Sequence, residues 1–178
     1  ENDGSKYSID RSFERNYNLW DRENLDISFR VGSTSEVLRS LGVDEKSIYW
    51  DASKISKIKN DHPEMTDDVI KQVPSILENP VLVMESLTVK GRLTLFGEVY
   101  GINGAPVLAV LELNPTNRNG HSLDIIKIAS AYGKDTNPQR LINNSRILYV
   151  DKKRANDWLS HNRLQLPLAY SSIGSDNN

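Results

Sequence analysis

Three strand-like runs follow one another between Val81 and Asn114, and they constrain the fold more than any other feature of the chain. Val81 to Ser86, Arg92 to Gly101 and Pro106 to Asn114 are rich in Val, Leu, Phe and Tyr, residues that suit a pleated, half-buried surface. Asn103-Gly104 lies between the last two runs and tolerates positive φ, so it predicts a hairpin closed by a type I′ turn. Runs joined so closely pair with their chain neighbours, which gives an antiparallel meander. After the loop Asn114 to Gly120, a fourth run from Ser122 to Tyr132 extends it. There Leu123 and Ile125, then Ile126 and Ile128, break the two-residue period near the middle, as a β-bulge does. A further strand is expected at Arg146 to Val150.

Upstream the pattern changes. Short strands are expected at Ile27 to Val31 and Ser47 to Trp50, with a helix over 35 to 41 that Gly32-Ser33-Thr34 caps and Gly42 stops. Asp51 heads a helix with Ile55 and Ile58 inward, and Pro63 ends it. Thr66 and the acidic first turn Asp67-Asp68 open another helix to about Leu77, with Val69, Ile70, Val73, Ile76 and Leu77 inward and a kink at Pro74. Pro138 starts a short helix, and an Asp151-capped helix buries Ala155, Trp158 and Leu159. The expected fold class is α+β: N-terminal helices packed on a four- to five-stranded antiparallel sheet, with a C-terminal helix. Residues 1–26 read as a partly flexible lead-in, 27–168 as the folded domain, and 169–178 as a flexible tail.

The chain has no cysteine, so disulfides, thiolate metal sites and thiol nucleophiles drop out. The glycines form neither GxGxxG nor a P-loop, HExxH is missing, and acids and histidines do not fall at metal-ligand spacing. Neither a cofactor nor a metal is expected. No apolar run approaches the roughly 20 residues that span a bilayer. The polar start Glu1-Asn2-Asp3-Gly4-Ser5 lacks the regions of a signal peptide, so the chain reads as a soluble excised domain with no membrane partner. A net charge of −2 gives no overall attraction to a nucleic acid. Basic residues are nevertheless clustered, at Lys54, Lys57 and Lys59 and again at Lys152, Lys153 and Arg154, which leaves room for a local basic cleft.

Histidine is the natural proton shuttle near neutral pH, and there are three. His161 ends a basic helix, where a cation complements the helix dipole, so a structural role suffices. His121 lies in the Asn/Gly-rich loop within reach of a ligand, although exposed loop histidines are often idle. His62 closes the segment Lys54 to His62, and the i, i+3 spacing of Lys59 and His62 places an ammonium and an imidazole on one helical face. Such a pair can move the proton of a ribose 2′-hydroxyl and steady phosphate charge, or it can be a solvated basic helix end. At the end of the fourth strand, Ser130 and Tyr132 point to one side, fit to hold a phosphate or flank a base. Glu98 and Glu112 read as residues of a wet sheet face, and Asp67-Asp68 as helix N-terminal charge.

Several loose motifs taken in order, Phe29-Arg-Val-Gly32, Ile48-Tyr-Trp50, Lys57-Ile-Lys59-Asn-Asp-His62-Pro, Val73 to Pro80, Ile128-Ala-Ser130-Ala-Tyr132 and Leu148 to Lys153, resemble the C-terminal toxin domain of phage MuF-type proteins. That domain is placed in the barnase, EndoU, colicin and RelE-like nuclease superfamily. The resemblance spans about residues 27 to 168 and implies helices followed by an antiparallel sheet. Lysine-x-x-histidine followed by serine-x-aromatic looks like the active site of colicin D, a tRNA anticodon-loop nuclease, with Tyr132 where that relative has tryptophan. The resemblance implies a metal-independent ribonuclease in which His62 acts as base, Lys59 holds the phosphate charge, Ser130 bonds a phosphate oxygen, and Tyr132 stacks or donates. Lys57, Lys134, Asn114 and His121 are the candidates for holding substrate. The implied partners are RNA, tRNA among them, and a cognate immunity protein. The implied setting is a delivered effector acting in the cytoplasm of a target cell. Two alternatives stay open: a non-catalytic binding module, and an ADP-ribosyltransferase suggested by Phe29 to Gly32 with Ser33-Thr34-Ser35.

Overall fold

The structure, a computed structural model, describes residues 8–167. The tail expected at 169–178 and the first seven residues of the lead-in lie outside the described residues. The elements run α1 (Phe13–Leu19), β1 (Ser28–Ser33), α2 (Glu36–Ser40), β2 (Ser47–Asp51), α3 (Ala52–Asp61), α4 (Asp67–Glu78), β3 (Leu82–Ser86), β4 (Arg92–Tyr100), β5 (Pro106–Glu112), β6 (Ile126–Gly133), α5 (Pro138–Asn143), β7 (Ser145–Val150) and α6 (Ala155–His161). The fold is α+β as expected, with its C-terminal helix. The sheet is wider than the meander alone predicts, with seven strands in the order β1-β2-β6-β5-β4-β3-β7. Each of the seven runs marked in the sequence becomes a strand. What the sequence does not announce is that the hairpin β1–β2 joins the meander through a parallel contact of two residue pairs, Ile48 with Ile126 and Tyr49 with Lys127.

Both faces of this sheet are covered. On one, Phe13 of α1 meets Phe29 and Trp50, and Ile55 of α3 and Val69 and Ile70 of α4 share one core with Leu95, Val107, Ala109 and Leu111. On the other, Ile142 of α5 and Trp158 of α6 close over Met84, Phe96 and Leu108. The central strand β5 therefore buries neighbours on opposite sides, and each large aliphatic side chain there contributes about 1.5–3 kcal/mol. Glu98 is exposed, as expected of a wet face, and accepts there from Arg154 at 2.7 Å; Arg154 also bonds Asp151 and the carbonyl oxygens of Asn79 and Pro80. The lead-in residues from 8 onward are also tied down. Phe13 and Tyr17, one helical turn apart, are fully enclosed, and Trp20 packs beside them against Phe29.

Local chemistry sets the element ends. Thr66 accepts from the Val69 amide and Ser35 from the Leu38 amide, capping α4 and α2. Asp51 precedes α3 without a capping bond, and Asp151 closes the turn before α6, whose cap is Arg154. β6 begins at Ile126, four residues later than expected, so the break expected between Ile125 and Ile126 marks the strand's start; its bulge lies further on, at Ala129, between the pairs Val110–Ser130 and Leu111–Ile128. The hairpin turn is not type I′. Asn103 keeps negative φ, Gly104 alone is left-handed at φ +84°, and the Gly104 amide donates to Gly101, so a type I turn runs into a glycine bulge.

Candidate functional site

β2 ends at Asp51 and turns at once into α3, so past Lys127 the outer side of β6 has no strand partner, and α3 packs there. Lys127 fastens the junction by reaching Asp51 at 3.0 Å. Pro63 stops α3, and the next four residues form a tight turn in which the Met65 amide donates to the His62 carbonyl at 2.9 Å. Proline at the second position presets the φ such a turn requires. The turn delivers His62 to the end of β6, where its ring lies flat on Tyr132, with centroids 4.8 Å apart and planes 13° apart. Glu64 folds beneath them. Its Oε2 accepts from the Gly133 amide at 2.9 Å and lies 3.7 Å from His62 Nδ1, and its side chain is only 11% exposed.

Two glycines make room for that carboxylate. A Cβ at Gly101 would lie 2.8 Å from Glu64 Cγ, and one at Gly133 would lie 3.1 Å from it. The Ile102 amide of the hairpin donates to the Glu64 carbonyl, which ties the turn to the meander. Beside these groups opens a cleft of about 300 Å³, lined by His62, Glu64, Tyr132 and Lys134 together with Asp61 and Asp135. Burial pushes the Tyr132 phenol above its ordinary pKa, so it stays a proton donor at neutral pH. Lys134 has no carboxylate within ion-pair distance among the described residues.

The other expected site residues lie apart. Lys59 turns from His62 to bond Asp67, which also accepts from the Tyr17 hydroxyl at 2.6 Å. The Lys59 and Tyr17 hydrogen bonds hold the Asp67 carboxyl at about 2, well below the usual range. The i, i+3 spacing fails because His62 has left the helix: it is the C-cap, with φ −131° and ψ 83°. Lys57 pairs with Asp61 at 2.8 Å on an exposed face. Ser130 shares the register side of Tyr132 but does not line the cleft. Asn114 and His121 belong to the loop at the opposite end of β5; six residues of strand, about 20 Å, separate Asn114 from the level of Tyr132. His121 is exposed there, its backbone held by Asn117. His161 ends α6, with its ring edge-on to Tyr100. Thr34 and Ser35 are buried and engaged with backbone, Thr34 on the Asp44 carbonyl and Ser35 as a helix cap, so those hydroxyls serve the fold.

Glu64 escaped the sequence reading. Its only local signal is the string His62-Pro63-Glu64, in which a proline-led turn folds the acid back under the imidazole. Among the described residues no three His, Asp or Glu side chains converge as a metal site, and no helix is long and apolar enough to cross a membrane. In comparisons with known proteins, the family model described as the phage MuF-C-terminal domain matches residues 44–157, more than half of the chain, with α3, His62, Glu64 and β6 inside the match. No curated protein and no solved structure matches.

Proposed function

This chain belongs to the phage MuF C-terminal domain family, and on that premise we propose that it is an endoribonuclease toxin that cuts RNA by transesterification at the His62–Tyr132 cleft. The observation that carries the reading is the flat stacking of His62 on Tyr132 at the mouth of an open cleft that also holds an unpaired lysine. His62 takes the proton of a ribose 2′-hydroxyl, and that oxygen bonds to phosphorus as the bond to the 5′-oxygen breaks. Tyr132 supplies the leaving oxygen with a proton and regains one from the imidazolium through solvent. Lys134, not Lys59, steadies the charge on the phosphate, because the Lys59 ammonium is already paired. The products are a 2′,3′-cyclic phosphate and a 5′-hydroxyl, and no metal takes part in these steps. With its face covered by His62, Tyr132 serves as donor and ring support more than as a base-stacking platform. The domain would act as a delivered effector in a target cell, checked by an immunity protein.

The rival reading, a module that binds a partner without cutting, draws on one observation: Asp61, Glu64 and Asp135 line the same cleft, so it has no surplus positive charge. Incubation of the protein with total tRNA and mapping of the ends separates the two. Cleavage that leaves cyclic phosphates, persists in EDTA and vanishes in His62→Ala supports the nuclease. RNA that stays intact, or is cut equally well by His62→Ala, overturns it.

A further inference from the structure

We propose that Glu64 is the positioning residue for His62: its carboxylate holds the imidazole as the Nδ1–H tautomer and leaves the Nε2 lone pair turned toward the cleft. The inference deepens the nuclease reading and rests on it for its consequence in catalysis, but its geometry stands by itself. A neutral imidazole donates from one ring nitrogen and accepts at the other, and a neighbouring acceptor decides which. Here a carboxylate oxygen, Glu64 Oε2, lies 3.7 Å from Nδ1. That separation is longer than a hydrogen bond, yet close enough for the charge to act, and bonds of this kind tighten when substrate arrives.

The carboxylate has little freedom to go elsewhere. The Gly133 amide pins the same oxygen at 2.9 Å, and the Ile102 amide holds the backbone carbonyl of Glu64. Substituting either glycine beneath it would push Cβ against Glu64. Stacking on Tyr132 fixes the plane of the ring, so the remaining choice is which edge carries the proton. The other charged groups about His62 are Asp61, the last residue of α3, and Lys134 with Asp135 beyond β6. Asp61 is taken up by Lys57, whose hydrogen bond holds its carboxyl below the usual range. An acid that fixes the tautomer of a base in this way converts a generic imidazole into one that accepts from a defined direction.

Nitrogen-15 NMR of the histidine side chains reads the tautomer directly. In the parent protein His62 is expected to be mainly Nδ1–H. Glu64→Ala should shift the population several-fold toward Nε2–H and slow RNA cleavage at least tenfold. Glu64→Gln, which keeps an acceptor at the same reach, should restore much of both. A parent His62 that is mainly Nε2–H overturns the assignment, and so does a tautomer ratio unchanged in Glu64→Ala. If Glu64→Ala fails to fold, the parent spectrum alone decides. If the tautomer behaves as expected but no RNA is cut, the nuclease reading falls and the role of Glu64 toward His62 remains.

Discussion

The two ends of the sheet each carry a cleft of similar size, about 300 Å³ at the end of β6 and about 270 Å³ where β5 ends and Asn114 begins its loop. Each end also has one of the histidines that the sequence marks as a proton shuttle. They differ in how that histidine is held. His62 is fixed by a proline turn, stacked on a phenol and backed by a part-buried carboxylate. His121 sits exposed on a loop whose own backbone bonds hold it, and it does not line the neighbouring cleft. Volume does not separate these places, whereas convergent, restrained polar groups do. Of these two histidines, His62 is the one whose ring is held by groups from several elements.

That contrast can be broken in graded ways. The largest effect is expected for His62→Ala, a loss of about 10²- to 10⁴-fold in the initial rate on tRNA with thermal unfolding little changed. Lys134→Ala should weaken substrate use about tenfold and flatten the log–log dependence of binding on salt by about one phosphate contact. Asp67→Asn tests the cluster to which Lys59 has moved. It should cost about 1–2 kcal/mol in urea denaturation at neutral pH and leave the cleavage rate within about twofold. The sign of its pH dependence follows from the folded-state value of about 2 against an ordinary value near 3.8. A lowered carboxyl stabilises the fold above the ordinary value and loses that contribution as pH falls toward 2, so the acid limb of the parent's stability curve should be steeper than that of Asp67→Asn. The smallest effect belongs to His121→Ala, which should change neither rate nor stability beyond about 0.5 kcal/mol; a marked loss of cleavage there would move the site to the other end.

Much of this architecture can be read from local patterns because local patterns produce it. Alternation and turn residues place the strands, and Pro63 and Thr66 bound the helices on either side of the turn. The pairing of β2 with β6 lies beyond such signals: it joins residues far apart in sequence through two pairs and leaves no mark on either segment alone. The expected type I′ turn does not form because Asn-Gly permits two left-handed residues but does not demand them, and the chain uses only Gly104. At the site, His62 and Tyr132 are recognisable as chemistry-bearing residues at element ends. Lys59 shows where spacing fails, since one residue of helix termination rotates His62 away from it. Glu64 was invisible for the opposite reason: its place depends on the absence of side chains at Gly101 and Gly133, both distant in sequence.

The narrow parallel seam between β2 and β6, closed by two residue pairs and the Lys127–Asp51 ion pair, divides the molecule into unequal parts. The strands from β3 to β7 are zipped to one another over long registers, so amide exchange there should report only global unfolding. The hairpin β1–β2 hangs on that short seam, while Trp50, Ile55 and Ile58 join it to the core of the larger sheet, so its amides are expected to exchange no more slowly than those of the meander. Because the turn after α3 carries the imidazole and β6 the phenol, any loosening at that seam would part the two rings before the meander gives way.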